Sequence, residues 1–359
     1  MNVKIDNMVF LTIFEKGIDN SEFFNKRKEG ICYVKNLLKI FRIFFYGFFF
    51  KSIKKLNLSS VLLAWYPLHE NILSQYNGEK VALLAQKNSL NSQTFLSYIS
   101  LKKLLRLRHS IPKDLKNKGL MYDWYFFNAI YIFLAENSIK SIIIAGHYDK
   151  YATWLSYLSK ELGIHFTISQ HGANSKYDLP YKIPADRVEV FSKAEEEMFR
   201  STILNSEDAV FYIKGFKTSL TFTKGEFQNR TIAIASQPNY EERVIDLIRT
   251  IVDIDDSINI IVYSHPSDLF RKGVQSLDKM KNCCLTHHAR YWDIDYLIVF
   301  TSTLAYDYWS CSQFTGRVLC FFDDKCIVAL YNDERGIVIY PETFQTQLKT
   351  ILERTYDER

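Results

Sequence analysis

The sequence predicts an α/β fold built from two doubly wound parallel sheets. Three observations lead there. Apolar, β-branched runs alternate with helical stretches, the pattern of parallel strands joined through helices. The runs fall into two successive series. A chain of 359 residues is also the natural length of two domains.

In the first series, strands at Ser60–Trp65 and Val81–Leu84 come first. A helical stretch at Trp124–Glu136, a strand at Ser141–Ala145, a helix at Tyr151–Leu162 and a strand at His165–Ser169 follow. Pro180 and Pro184 in "KYDLPYKIPADR" then interrupt any regular element, so the domain divide is placed there, giving domains 1–183 and 184–359. The second series has strands at Val188–Phe191, Val210–Ile213, Thr231–Ala235 and Ile258–Tyr263, then Tyr296–Phe300, Val318–Phe322 and Ile337–Tyr340. Helices fit at Ala194–Arg200, Glu241–Val252 and Leu304–Cys311. The chain's last helix is free to pack back on the first domain.

Bulk composition excludes several classes. The chain is 47% hydrophobic and 24% charged, as globular proteins are. A net charge of +5 does not call for nucleic acid, and no RNA- or DNA-binding motif occurs. Six cysteines are scattered without a CxxC pair, which suggests neither a zinc site nor a disulfide framework and fits a reducing cytoplasm. The opening "MNVKIDNMVFLTIFEKG" does not read as a signal peptide.

Residues 36–58, "NLLKIFRIFFYGFFFKSIKKLNL", stand out. The apolar core Ile43–Phe50 is too short for a bilayer span, which needs about 20 residues. Lys39, Arg42, Lys51, Lys54 and Lys55 flank it, as in a helix lying at a membrane interface. A buried helix with snorkelling lysines is the alternative.

In open parallel sheets, ligands bind beyond the carboxyl ends of the strands. Five strand ends here carry polar groups: "GHYDKY" with His147 and Asp149, "QHG" (Gln170, His171, Gly172), "KGF" (Lys214, Gly215), "SHPSD", and "TSTLAYDYW". In the last, Thr301, Ser302 and Thr303 open a helix, where free N–H groups and the helix dipole favour an anion. Ordinary N-capping is the alternative, but it needs one hydroxyl rather than three. In "SHPSD", Pro266 suits the first helical position and His265 reaches the same edge, able to donate to a phosphate and steady a leaving group as a catalytic residue; a capping or packing histidine is the alternative. For "QHG" the bland reading is a turn with Gly172 at positive φ.

The order "QHG", "FSKAEEEMF", "YIKGF", "IASQPN", "YSHPSD", "VFTSTLAYD" resembles the C-terminal half of bacterial surface-glycan glycosyltransferases of the GT-B fold. The His-Pro pair and the Ser/Thr cluster are similar to the HP and S/T motifs of bacterial sialyltransferases. CDP-glycerol glycerophosphotransferases carry a similar HG, HP and Ser-Ser series. The resemblance spans roughly residues 141–322. It implies two Rossmann-like domains facing a cleft, an acceptor-binding domain first and a nucleotide-sugar-binding domain second.

By that resemblance His265 and Pro266 contact the nucleotide phosphate, and Thr301, Ser302 and Thr303 cradle it, with Lys214 and Gly215 counted in the same group. Asp307, four residues past Thr303, would reach a ribose hydroxyl or else be a solvated helix residue. Gln170, Gly172 and His147 would line the cleft. The Asp/Glu-Asp/Glu-Gly motif that holds the sialyltransferase base has no convincing copy; "RKEG" at 27–30 is the nearest. The base is therefore Asp149, as the sialyltransferase resemblance favours, or His171, as the glycerophosphotransferase resemblance favours.

"DID" at 253–255 and 293–295 reads as loop charges, and Asp323 of "DD" at 323–324 follows a strand but lacks a partner pattern, so a metal-independent enzyme without cofactor is expected. The implied donor is a CMP-activated acidic sugar of the sialic acid type. The implied acceptor is an oligosaccharide or lipid-linked glycan of O-antigen or capsule, transferred with inversion. The expected location is cytoplasmic, peripheral on the inner face of the membrane through residues 36–58. Three rivals stand beside this reading: a CDP-polyol phosphotransferase, a sugar-nucleotide epimerase of the same fold, and a non-catalytic nucleotide-sugar-binding protein. An epimerase would need more acids in the cleft and no acceptor site.

Overall fold

The computed structural model describes residues 5–24, 59–64, 69, 72–83, 93–99, 112–113, 120–171, 179–205, 208–214, 222–223, 229–236, 240–264, 282–287, 291–300, 302, 304–311, 313–321, 336–340 and 343–354. They form two compact units, dividing after Lys214.

The first unit contains α1 (Asn7–Phe24), β1 (Ser60–Ala64), β2 (Glu79–Ala82), β3 (Gln93–Thr94), α2 (Met121–Glu136), β4 (Ser141–Ile144), α3 (Lys150–Leu162), β5 (His165–Ser169), β6 (Arg187–Val190), α4 (Lys193–Met198) and β7 (Val210–Ile213). Among the described residues its sheet has seven strands, in the order β3-β2-β1-β4-β5-β6-β7, and every pairing is parallel. The order runs outward from β1 through β2 to β3, then restarts at β4 on the other side of β1. That reversal is a doubly wound switch point, where side chains at the carboxyl ends part to leave a crevice.

Helix packing fixes the sheet's frame. Helix α2 is apolar on nearly all faces, from Trp124 through Leu134, and is buried accordingly. Helix α3 is capped by Asp149 at its start and by Gly163 at its end, whose left-handed φ of 67° lets the Ile164 N–H turn back to the Ser159 carbonyl. Helix α1 lies on α3: the Phe14 ring stacks on Trp154 with centroids 5.6 Å apart, and Trp154 Nε1 donates to the Phe14 carbonyl at 3.0 Å. Full burial of each such ring contributes about 2–3 kcal/mol.

The second unit contains β8 (Phe222–Thr223), β9 (Thr231–Ala235), α5 (Glu241–Ile254), β10 (Asn259–Ser264), β11 (Cys283–His287), β12 (Tyr291–Trp292), β13 (Tyr296–Val299), α6 (Leu304–Ser310), β14 (Arg317–Phe321), β15 (Gly336–Ile339) and α7 (Phe344–Arg354). Its main sheet, as described, runs β11-β10-β9-β13-β14-β15, all parallel, with β8 and β12 a separate pair. Strands β9 and β13 are buried at every position, as a sheet covered on both faces requires. Val244, Leu247, Ile248 and Ile251 put one stripe of α5 into this core. The switch point falls between β9 and β13.

The fold is therefore two doubly wound parallel sheets, as the alternation predicts. The expected boundary between them is corrected. Val188–Phe191 and Val210–Ile213 belong to the first sheet: β6 pairs with β5 and β7 with β6. The prolines that suggested a linker at 183/184 lie in the β5–β6 connection, whose described part, residues 179–186, is tied to the first unit. Asn20 exchanges hydrogen bonds with the Tyr181 backbone, Tyr157 Oη donates to the Lys182 carbonyl at 2.7 Å, and Ser156 Oγ donates to the Pro184 carbonyl. The last helix, α7, packs within the second unit through Leu348 and Leu352, and Arg230 holds the Leu352 carbonyl at 2.7 Å.

Candidate functional site

In the first unit, three histidines gather at the carboxyl edge beside the switch point. His69 follows β1, His147 follows β4 and His171 follows β5. The ring centroids of His69 and His171 are 5.0 Å apart, and those of His147 and His171 are 5.6 Å apart. His69 and His147 are buried, and His147 also packs on Tyr148 and Phe199. His171 is half-buried.

His171 Nδ1 sits 2.5 Å from the Ala145 carbonyl. A carbonyl only accepts, so Nδ1 carries the proton and Nε2 carries the lone pair. Burial pushes the His171 pKa down, the Lys214 charge pushes the same way, and the bond to Ala145 works against both. The ring is thus neutral near pH 7 with a basic nitrogen available. His69 is pushed down to about 3, by burial first and then by His171.

Next to the histidines lies a polar network. Lys214 Nζ donates to Ser169 Oγ at 2.7 Å and to the Gln170 carbonyl at 2.9 Å. Tyr76 Oη donates to Glu189 Oε2 and lies 2.8 Å from Ser169 Oγ, whose own hydroxyl donates to it. Glu189, buried on β6, pairs with Arg187 at 2.7 Å. Gln170 is fully buried: its N–H continues the ladder to Glu189, and its Oε1 accepts from the Phe191 N–H at 3.0 Å.

Asp149 has a structural task. Its Oδ1 accepts the Tyr151 and Ala152 N–H groups at 2.9 and 3.0 Å, capping α3. The structure brings His147, Gln170, His171 and Lys214 together, with Asp149 at the adjoining helix start. Lys214, grouped by sequence with the phosphate ligands, belongs to the first unit and faces Ser169 and Gln170. The sequence does not single out His69, Tyr76, Ser169 or Glu189, which the structure places beside these residues. The strand-end rule applied to β1 would have drawn attention to His69.

In the second unit, Ser236 follows β9 and Ser302 follows β13, flanking that switch point; both are buried. Ser302 Oγ accepts the Leu304 N–H at 3.2 Å, two residues on, just ahead of α6. Asp307 is half-buried on the seven-residue α6. Behind this edge, Tyr263 and Tyr308 join hydroxyls at 2.8 Å, and Tyr308 Oη reaches the Trp292 carbonyl at 3.0 Å. Asp295, of the second "DID", accepts the Thr231 N–H at 2.8 Å. His265, Pro266, Thr301, Thr303, Gly172 and Gly215 lie outside the described residues, as do "RKEG" at 27–30 and residues 36–58. Among the described residues no helix is long and apolar enough to cross a membrane.

No family model and no curated protein matches this sequence. Solved structures do. TarM shares 14% identity at a TM-score of 0.43, over 64% of this chain and 51% of its own, so the chain spans about half of TarM. The Anabaena Alr3699/HepE structure, in complex with UDP and glucose, shares 10% identity at 0.49, over 83% of this chain and 89% of its own. The lipopolysaccharide outer core galactosyltransferase WaaB shares 10% identity at 0.48, over 82% and 90%.

Proposed function

We propose that this chain is a GT-B type glycosyltransferase, moving a sugar from a nucleotide-activated donor to a hydroxyl acceptor. The second unit takes the nucleotide, and the first supplies the general base. The observation that carries this is the pair of doubly wound sheets in one chain, each with polar side chains at its switch point: His69, His147 and His171 in the first, Ser236 and Ser302 in the second. Switch points of such sheets are where ligands bind.

His171 is the base in this reading. Its Nε2 accepts the acceptor's hydroxyl proton as the oxygen bonds to the anomeric carbon. The bond from that carbon to the donor phosphate breaks, the nucleotide leaves with the electron pair, and the anomeric centre inverts. Support comes from the Nδ1 bond that leaves Nε2 basic and from the burial that keeps the ring neutral. Asp149, the other candidate, already spends Oδ1 on two helix N–H groups.

The finer assignment is a CMP-activated nonulosonic acid donor and a surface-glycan acceptor. Its support is the order of the His265–Pro266 and Thr301–Thr303 motifs in the sequence. Contact with a membrane surface through residues 36–58 belongs to the same reading, on their basic and aromatic composition. A CDP-polyol phosphotransferase is the second reading, because its resemblance is the one that gives the HG histidine the base role.

A donor-hydrolysis and transfer screen over CMP-, CDP- and UDP-linked compounds tests both, alongside melting shifts with free nucleotides. Turnover of a CMP-sugar, with CMP or CDP stabilising more than UDP or GDP, is the expected result. Turnover of a CDP-polyol alone selects the second reading. Stabilisation by UDP equal to that by CMP removes the CMP donor.

A further inference from the structure

Lys214 follows β7, two strands away from β5, yet its side chain reaches the residues immediately before His171. Its two bonds end on different groups, the Ser169 hydroxyl and the Gln170 carbonyl. The Tyr76 hydroxyl also meets Ser169 Oγ, and the Phe191 ring lies 5.0 Å from the ammonium. Gln170 is anchored to β6 through its own N–H and Oε1. The backbone entering His171 is thus held from two neighbouring strands, and Lys214 is the one cation among the described groups bonded to it.

We propose that Lys214 is a positioning residue for His171: it clamps the Ser169–Gln170 backbone so that the His171 ring keeps its bond to Ala145, and its charge discourages a second positive charge on that ring. This rests on the reading of His171 as the base. It takes Lys214 out of the nucleotide's phosphate site, where the sequence had grouped it.

The charges around the pair are consistent with it. His171 faces His69 and His147, both buried, and Lys214. Lys214 in turn faces Glu189 on β6 and Glu195 on α4. Burial, the larger effect, brings Lys214 down to about 8, and the two glutamates pull the other way. The ammonium is therefore still charged at neutral pH, and the clamp is set where the base must be neutral.

The test reads His171 directly. In full-length protein, the His171 ring signal, assigned by its loss in His171→Gln, is titrated by NMR in wild type, Lys214→Met and Lys214→Arg. Amide exchange at Gln170 and His171 is measured on the same samples. The expected result is a higher His171 midpoint and faster exchange in Lys214→Met, with the midpoint returned toward wild type in Lys214→Arg. If either the midpoint or the exchange in Lys214→Met stays at the wild-type value, the proposal fails. Should Lys214→Met not fold, Ser169→Ala decides: faster exchange at Gln170 upholds the clamp, and unchanged exchange overturns it. Transfer rate against pH separates this from the base assignment. An acid limb that moves up with the NMR midpoint upholds both, while a limb that stays put upholds the clamp and removes His171 as base.

Discussion

The His171 ring is fastened to the Ala145 carbonyl, with Nδ1 2.5 Å from the oxygen, so the loop after β5 is tied to the end of β4. One bond sets both the ring's orientation and its tautomer. It turns an otherwise ordinary strand-end histidine into a group with a fixed lone pair.

That geometry predicts the phenotype of His171→Ala. Acceptor-dependent transfer should fall by about 10²–10⁴, the usual contribution of a positioned general base. Nucleotide affinity, measured by calorimetry or melting shift, should stay near wild type, because the substitution lies in the first unit. Loss of nucleotide binding together with turnover would move His171 out of the base role.

Asp149 should behave as a cap. Asp149→Ala removes the acceptor for the Tyr151 and Ala152 N–H groups and should cost about 1 kcal/mol of stability. Asp149→Ser, another good cap, should recover most of it. Transfer activity per folded molecule should stay close to wild type in both, as read from initial rates and chemical denaturation. A hundredfold loss of rate in well-folded Asp149→Ser would restore Asp149 as the base.

The sequence reveals the sheets well for a physical reason. Compact apolar runs such as Ser141–Ile144 and Thr231–Ala235, the second buried at every position, mark their strands in the sequence to within a residue. The domain divide was not readable. Pro180 and Pro184 break regular structure equally well in a linker and in a crossover loop, and only the β5–β6–β7 pairing distinguishes the two. The strand-end rule points to His147, Gln170, His171 and Lys214, which the structure brings together. It could not show that Lys214 turns toward Ser169, since 45 residues of chain separate them. Glu189 was invisible because it sits inside a strand, where its partners Tyr76 and Arg187 come from a distant loop and its own strand.

Gly17 offers a packing test with an unusual sign. A glycine inside α1 should gain about 1 kcal/mol of helix propensity on replacement by alanine. Here the new Cβ would meet the Trp154 indole, which is fixed by its stack on Phe14 and its bond to the Phe14 carbonyl. Gly17→Ala should therefore destabilise, by about 1–3 kcal/mol. In a Trp154→Phe background the penalty should shrink, a coupling that a double-mutant cycle in urea would read. Additive effects would mean that α1 does not pack on Trp154 as described.

The buried histidines make acid the natural stress for the first unit. His69 has a folded pKa of about 3, lowered by burial and then by His171, against an unfolded value of about 6.5. Between those values the unfolded chain binds more protons than the folded one, so stability falls as pH drops through 6.5 and keeps falling toward 3. His171 is lowered too, and its contribution has the same sign. A tenfold difference in proton affinity between the two states is worth about 1.4 kcal/mol, so the His69 contribution reaches a few kcal/mol at the acid end. His69→Gln removes that titration while keeping a polar side chain of similar size. Urea midpoints for wild type and His69→Gln, compared from pH 7.5 to 4.5, should therefore converge or cross as pH falls, wild type losing stability faster. A difference between the two that stays constant across this range would mean that His69 does not titrate against burial, and that the histidine cluster is more open to water than its geometry implies.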